Sequence, residues 1–161
     1  MKSEKQFIES ELLFAAIQEE LDKGRQAVFT VTGMSMWPFL CHGRDSVIVE
    51  SCQNVKLKKG DIILFQTPLK NYVLHRITSL KDDRFETTGD GNCHRDGWYD
   101  CSCIRARVVK MVRKGKTIDC NHIFWKSLAF LWTILFPIRR VLLKLCLAIG
   151  KVKNKKRNPA E

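Results

Sequence analysis

Apolar and polar residues alternate along this chain in three different rhythms. Over the first 24 residues, Phe7, Ile8, Leu12, Ile17 and Leu21 fall on or near one helical face, with charged and amide residues between them. Ser3 with Gln6 has the form of a capping box, and Gly24 is a helix stop. An amphipathic N-terminal helix over 1–24 is predicted, packed on its own domain. From residue 25 the pattern changes to short β-branched runs. Ala27–Val31, Ser46–Glu50, Asp61–Phe65, Tyr72–Leu80, Phe85–Thr88 and Ile104–Val112 read as strands, with Thr117–Ile118 as a last short one. Lys59-Gly60, Lys81-Asp82-Asp83 and Lys114-Gly115-Lys116 supply the turns. Ile104, Ala106 and Val108 alternate with Arg105 and Arg107, which predicts a half-buried strand with a charged outer face. Frequent short strands predict a mainly β domain over 25–120. The third rhythm is a strongly apolar stretch over 121–150, broken by Pro137 and by Arg139-Arg140, whose bulky residues suit a helix. The tail over 151–161, KVKNKKRNPAE, is basic and expected to be disordered.

Composition narrows the partners. A formal net charge of +11 calls for an anionic partner, a membrane surface or nucleic acid. Position chooses between them. Phe124 to Ile138 covers about 15 residues, short of the roughly 20 that a bilayer requires. Extending it to Ile149 buries Arg139, Arg140 and Lys144 at about 3 kcal/mol each. The segment is therefore expected to lie in the membrane interface through residues 122–157, as a broken helix or hairpin. Trp125 and Trp132 would sit at headgroup depth, with Arg139, Arg140 and the Lys151–Arg157 cluster among the headgroups. The competing expectation is a C-terminal helix packed on the N-terminal one as core. The N-terminus carries several acidic residues and no uninterrupted apolar run, so it does not read as a signal peptide. On that ground the β domain of a membrane-associated protein is expected on the cytoplasmic face.

Seven cysteines, an odd number at irregular spacing, point to a reducing compartment rather than a disulfide framework. Cys93-His94 followed by Cys101-x-Cys103 matches no closed zinc pattern, so no metal or cofactor is expected.

The candidate chemistry begins at VTGMSMWPFL, residues 31–40. Gly33 allows a tight backbone approach and Pro38 fixes a bend, which would present the Ser35 hydroxyl. Most serines in such turns are only turn residues. A nucleophilic serine needs a base, and His75 sits in a strand with Val73 and Ile77 on its own face. A core histidine is the commoner outcome for that pattern; a neutral imidazole on a rigid strand is also the best base near pH 7. A carboxylate could orient it, and Asp90 and Asp96 bracket the glycine-bearing loop after Phe85–Thr88. An ordinary Asx turn would have the same composition.

Taken in order, Gly-x-Ser-Met-x-Pro, Lys-Lys-Gly-Asp-Ile-Ile-Leu-Phe, Val-Leu-His-Arg-Ile and Thr-Gly-Asp-Gly-Asn resemble the motifs of type I signal peptidases, over roughly residues 28 to 112. With His75 where the commonest bacterial enzymes carry lysine, the resemblance is to the serine–histidine branch found in endoplasmic-reticulum-type enzymes. It implies a signal-peptidase-like antiparallel β domain and serine endopeptidase activity on a substrate with a cleavable leader, cut after an Ala-x-Ala-like site. It implies Ser35 as nucleophile, His75 as general base, Asp96 as the residue orienting it, and Gly33 and Asp90 as support for the catalytic loops, Asp90 through backbone hydrogen bonds. Gly33 lacks the side-chain hydroxyl that completes an oxyanion hole, and no counterpart of the family's N-terminal anchor is expected among these residues. Lys70 and Lys81, the nearest lysines, lie near the strand's ends, away from the base position. Two other readings stay open. One is a catalytically idle relative that binds peptide. The other is a basic nucleic-acid-binding module, disfavoured because Ile104–Val112 has no aromatic side chain to stack bases.

Overall fold

A computed structural model of the chain describes residues 2–53 and 55–157, and the side chains of 11–53 and 55–149. It is mainly an antiparallel β sheet with three helices. The strands are β1 (Ala27–Thr30), β2 (Ser46–Glu50), β3 (Ile62–Gln66), β4 (Tyr72–Lys81), β5 (Arg84–Thr88), β6 (Trp98–Asp100), β7 (Ile104–Arg113) and β8 (Lys116–Asp119). Their order is β1-β2-β7-β3-β4-β5-β6, with β8 added on β7, and every pairing is antiparallel. The helices are α1 (Lys2–Asp22), α2 (Ile123–Ile134) and α3 (Arg139–Arg157), with a short 3₁₀ turn at Phe136–Ile138 between the last two.

β3 explains why the sheet has two cores. Ile62, Ile63, Leu64 and Phe65 are all buried. Successive strand residues point to opposite faces, so Ile62 and Leu64 join one cluster while Ile63 and Phe65 join another. The first cluster takes in Val47 and Val49 of β2, Ala106 and Val108 of β7, and Ile17 and Leu21 of α1. The second holds Ile77 and Phe85, with the Phe65, Phe85 and Tyr99 rings in mutual contact.

Several details depart from the periodicity. α1 already includes Lys2, so the Ser3 backbone lies inside the helix rather than before it. Leu12 is 68% exposed and Phe14 packs on the core in its place, stacked on Tyr72. Phe7 and Ile8 fall outside the described side chains. Arg107 is not on a charged outer face: it is half-buried and paired to Glu50 at 2.7 Å, because the two stand opposite each other in the β2–β7 register. β6 went unpredicted; three residues between a glycine and a 3₁₀ turn show too little alternation to read. The tail is helical as far as Arg157, while 158–161 lie outside the described residues. Once α3 is nucleated each residue adds a hydrogen bond, and no Gly or Pro interrupts between Gly150 and Pro159.

The cysteines are free and differ sharply in setting. Burial pushes the Cys52 and Cys120 thiols up to about 11, so both remain protonated in neutral solution. Thiolate is the reactive form. With native protein at pH 8, iodoacetamide should alkylate exposed Cys93 first and leave Cys52 and Cys120 until the chain is unfolded, as read by peptide mass mapping. Rapid labelling of Cys120 in native protein would contradict its place at the base of α2.

Candidate active site

Three segments converge at one end of the sheet. The first is the turn after β1. Val31 N–H donates to Asp45 O and Gly43 N–H to Val31 O, closing residues 31–45 into a loop. Inside it, buried Asp45 accepts from the Cys41 N–H and from Arg44. Gly33 has φ +83°, where a side chain is strained, yet a Cβ there would meet nothing within 4 Å. Its contribution is therefore conformational rather than close approach. The Gly33 N–H donates to His42 Nδ1 at 3.0 Å. Ser35 comes next but one, half-buried, and the chain turns through a cis Trp37–Pro38 bond into the buried Phe39 and Leu40.

The second segment is β4, where His75 and Arg76 are adjacent and therefore project to opposite faces. His75 stands opposite Ile63, and only 7% of it is exposed. Its Nδ1 lies 2.5 Å from Asp96 Oδ2. Asp96 is held in turn by Thr87 Oγ1, which donates to the same oxygen at 2.9 Å, and by its own N–H donating to Thr87 O. A carboxylate on Nδ1 leaves Nε2 as the free ring nitrogen.

The third segment is the loop after β5. Gly89 lies between the other two. A Cβ added to it would stand 2.5 Å from Ser35 O and 3.0 Å from His75 Nε2. At Gly91 a Cβ would meet Met34 O at 2.8 Å and Trp37 O at 2.9 Å, and the Gly91 N–H donates to Ser35 O at 2.7 Å. These two glycines, neither with a positive φ, are the close-approach positions. They let the loop backbone lie directly on the serine turn and bring it to the imidazole. The Ser35 hydroxyl itself makes no hydrogen bond to His75 among the described residues.

Asp90 shapes this loop differently from the expected backbone hydrogen bonds. Its buried carboxylate takes a bidentate pair from Arg76, Nε at 2.9 Å and Nη2 at 2.7 Å, while Arg76 Nη1 donates to Gly60 O. Burial works against the Arg76 charge, but the Asp90 carboxylate outweighs it and the net shift of the guanidinium pKa is upward. This ion pair ties the loop to β4 and to the turn before β3.

Arg139 overturns a further expectation. It is 1% exposed and so not at a headgroup surface. Its guanidinium donates to Gly89 O, Asn92 O and Trp132 O, each at 3.2 Å, and lies over the Trp132 and Phe136 rings. Burial lowers its pKa, but a guanidinium keeps its proton at neutral pH. Trp132 Nε1 donates to Asp90 O at 3.0 Å, and Arg95 stacks on Phe136. α2 and the start of α3 thus support the glycine loop. The attraction is local: the loop carbonyls have lone pairs to fill, and a planar fork with aromatic neighbours supplies the donors.

Of the residues singled out in the sequence, Ser35, His75, Asp96, Gly33 and Asp90 all fall within these three segments. Thr87, Arg76, His42, Trp132 and Arg139 were missed. Arg76 had a signal: a charge inside an apolar strand must find a buried counter-ion, and Asp90 was available. No group of three or more His, Cys, Asp or Glu side chains suited to a metal ion occurs among the described residues. Comparison with protein-family models finds no matching family, and comparison with curated proteins finds no similar sequence.

Two substitutions test this architecture. Gly89→Ala puts a methyl group against the Ser35 carbonyl and the imidazole, a form of overpacking that costs about 1–3 kcal/mol. It should lower the thermal midpoint and shift the His75 ring resonances in NMR, with unchanged resonances counting against the close approach. Arg139→Met keeps the volume but removes three donors. It should destabilise by about 2 kcal/mol and raise hydrogen exchange across 89–95 more than in β2 or β3.

Proposed function

We propose that this protein is a serine endopeptidase resembling type I signal peptidases of the serine–histidine branch, removing a leader or signal segment from a peptide or protein. The observation that carries the reading is the His75–Asp96 contact, with Nε2 directed toward the Ser35 turn across Gly89. In this reading His75 takes the Ser35 proton as the hydroxyl attacks the scissile carbonyl. It then passes that proton to the leaving amine and activates water for deacylation. Asp96 holds the ring tautomer and balances the imidazolium. The Ser35 N–H is the oxyanion donor, an interaction worth about 3 kcal/mol of barrier. Hydrogen bonds at catalytic serines commonly tighten only when substrate binds, in keeping with the open Ser35–His75 geometry. β1 runs into the Ser35 turn and is the terminal strand of the sheet, which suits an extended substrate pairing along its free edge.

The same reading places the enzyme at a membrane surface. No helix among the described residues is long and apolar enough to cross a membrane. Yet Phe124, Leu131 and Ile134 of α2 and Val141 and Leu145 of α3 are exposed, with Lys126, Arg140 and Lys144 beside them. Exposed apolar side chains flanked by lysine and arginine suit an interface with anionic headgroups. Because α2 also carries Trp132 onto the glycine loop, such docking would hold the site next to a membrane-borne substrate.

The test is chemical. A fluorophosphonate probe should label wild-type protein on Ser35. Ser35→Ala and His75→Ala should each lower turnover of a peptide bearing an Ala-x-Ala site by roughly a thousandfold or more, with the double variant no worse than either. Asp96→Asn should cost a comparable factor through the wrong tautomer. Folded protein that neither labels nor cleaves would identify a peptide-binding relative without catalysis.

A further inference from the structure

A cleft of about 350 Å³, lined by Arg76 but not by His75, opens between α2 and the sheet. Its floor is apolar: Ile62 of β3, Val108 and Met111 of β7, and Phe39 from the serine loop. Trp125 and Ala129 of α2 form a wall. Its mouth is basic. Lys56, Lys58 and Lys59, from the segment before β3, and Lys126 of α2 are all exposed there, and none has an ion pair among the described residues. The one carboxylate in the lining, Asp61, accepts the Lys58 backbone N–H. The two arginines of the lining are taken, Arg76 by Asp90 and Arg107 by Glu50. Even so, Arg107 Nε is buried without a hydrogen-bond partner. The lining therefore combines an apolar slot, an excess of unpaired ammonium groups and an unused buried donor.

We infer that this cleft binds an anionic amphiphile, one acyl chain of an acidic phospholipid with its phosphate among Lys56, Lys58, Lys59 and Lys126. The chemistry selects that class. A plain anion leaves the slot between Trp125 and Met111 unfilled, and a neutral chain leaves four ammonium groups without a partner. Position selects the source. Phe130, 62% exposed, lines the cleft and belongs to the same helix as the exposed apolar residues of α2. A lipid drawn from the interface would enter there, so this choice of source rests on the proposed membrane docking of α2 and α3. Its site touches Phe39 and Arg76, and through Asp90 it adjoins the glycine loop.

The full-length protein tests this with dodecyl phosphate, held below its critical micelle concentration, in isothermal titration calorimetry. The expected result is one site, at least tenfold tighter than for dodecyl maltoside or inorganic phosphate, and retained in Ser35→Ala. Lys58→Glu with Lys59→Glu should weaken it tenfold or more. Ala129→Trp, which fills the slot, should do the same, and a normal thermal midpoint in either variant makes that result decisive. Equal affinity for dodecyl maltoside, equal affinity for inorganic phosphate, or indifference to both sets of substitutions would overturn the assignment. Leu131→Ser with Ile134→Ser separates the two proposals. It should reduce co-sedimentation with phosphatidylglycerol vesicles while leaving dodecyl phosphate binding intact. Wild-type protein that binds dodecyl phosphate but not these vesicles would sink the membrane docking and the lipid source together, and leave the amphiphile site standing.

Discussion

The arrangement of this protein depends on one backbone contact, the passage of Gly89-Asp90-Gly91 across the Ser35 turn. The Gly91 N–H to Ser35 O bond and the two missing side chains allow main chain to lie on main chain. Everything nearby serves to keep that contact in place. Asp90 is locked by Arg76, whose buried charge would be costly without it. The loop carbonyls, which strand pairing leaves unused, are taken by Trp132 and Arg139. Asp96, six residues on, then arrives at the Nδ1 side of His75.

This makes the two faces of β4 different in kind. His75 looks to the serine turn and to the second apolar cluster. Arg76, its neighbour, looks to Asp90 and to the cleft under α2. A strand that alternates between an imidazole and a guanidinium can anchor two loops while contributing only two residues. It also means that the cleft and the proposed catalytic group are separated by one peptide unit. Whatever occupies the cleft lies against the residue that fixes the glycine loop.

The C-terminal helices join support and surface in one segment. One side of α2 turns Trp132 toward the loop, while Phe124, Phe130 and Ile134 remain exposed. Arg139 sits at the junction with α3, where the chain bends through Phe136–Ile138, and it is buried against Trp132 and the glycine loop.

The local rhythm of the sequence determined the strands, because alternation reports how a short segment meets a half-buried surface. Residue chemistry marked Ser35, His75 and the pair Asp90 and Asp96 as able groups, and only the motif resemblance singled out Asp96. Non-local geometry decided the rest. Gly33 and Gly89 read alike as glycines beside a candidate site, but only the fold separates the one that needs a positive φ from the one that needs an absent side chain. Arg139 and Arg140 are neighbours with the same side chain, and one is buried while the other is exposed. No pattern of hydrophobicity distinguishes them. What holds Arg139 inside is a set of carbonyls at Gly89 and Asn92, some fifty positions earlier in the chain, that the folded loop turns toward it. Such a set of acceptors is assembled only when the chain has folded, and so it is visible only in the tertiary structure.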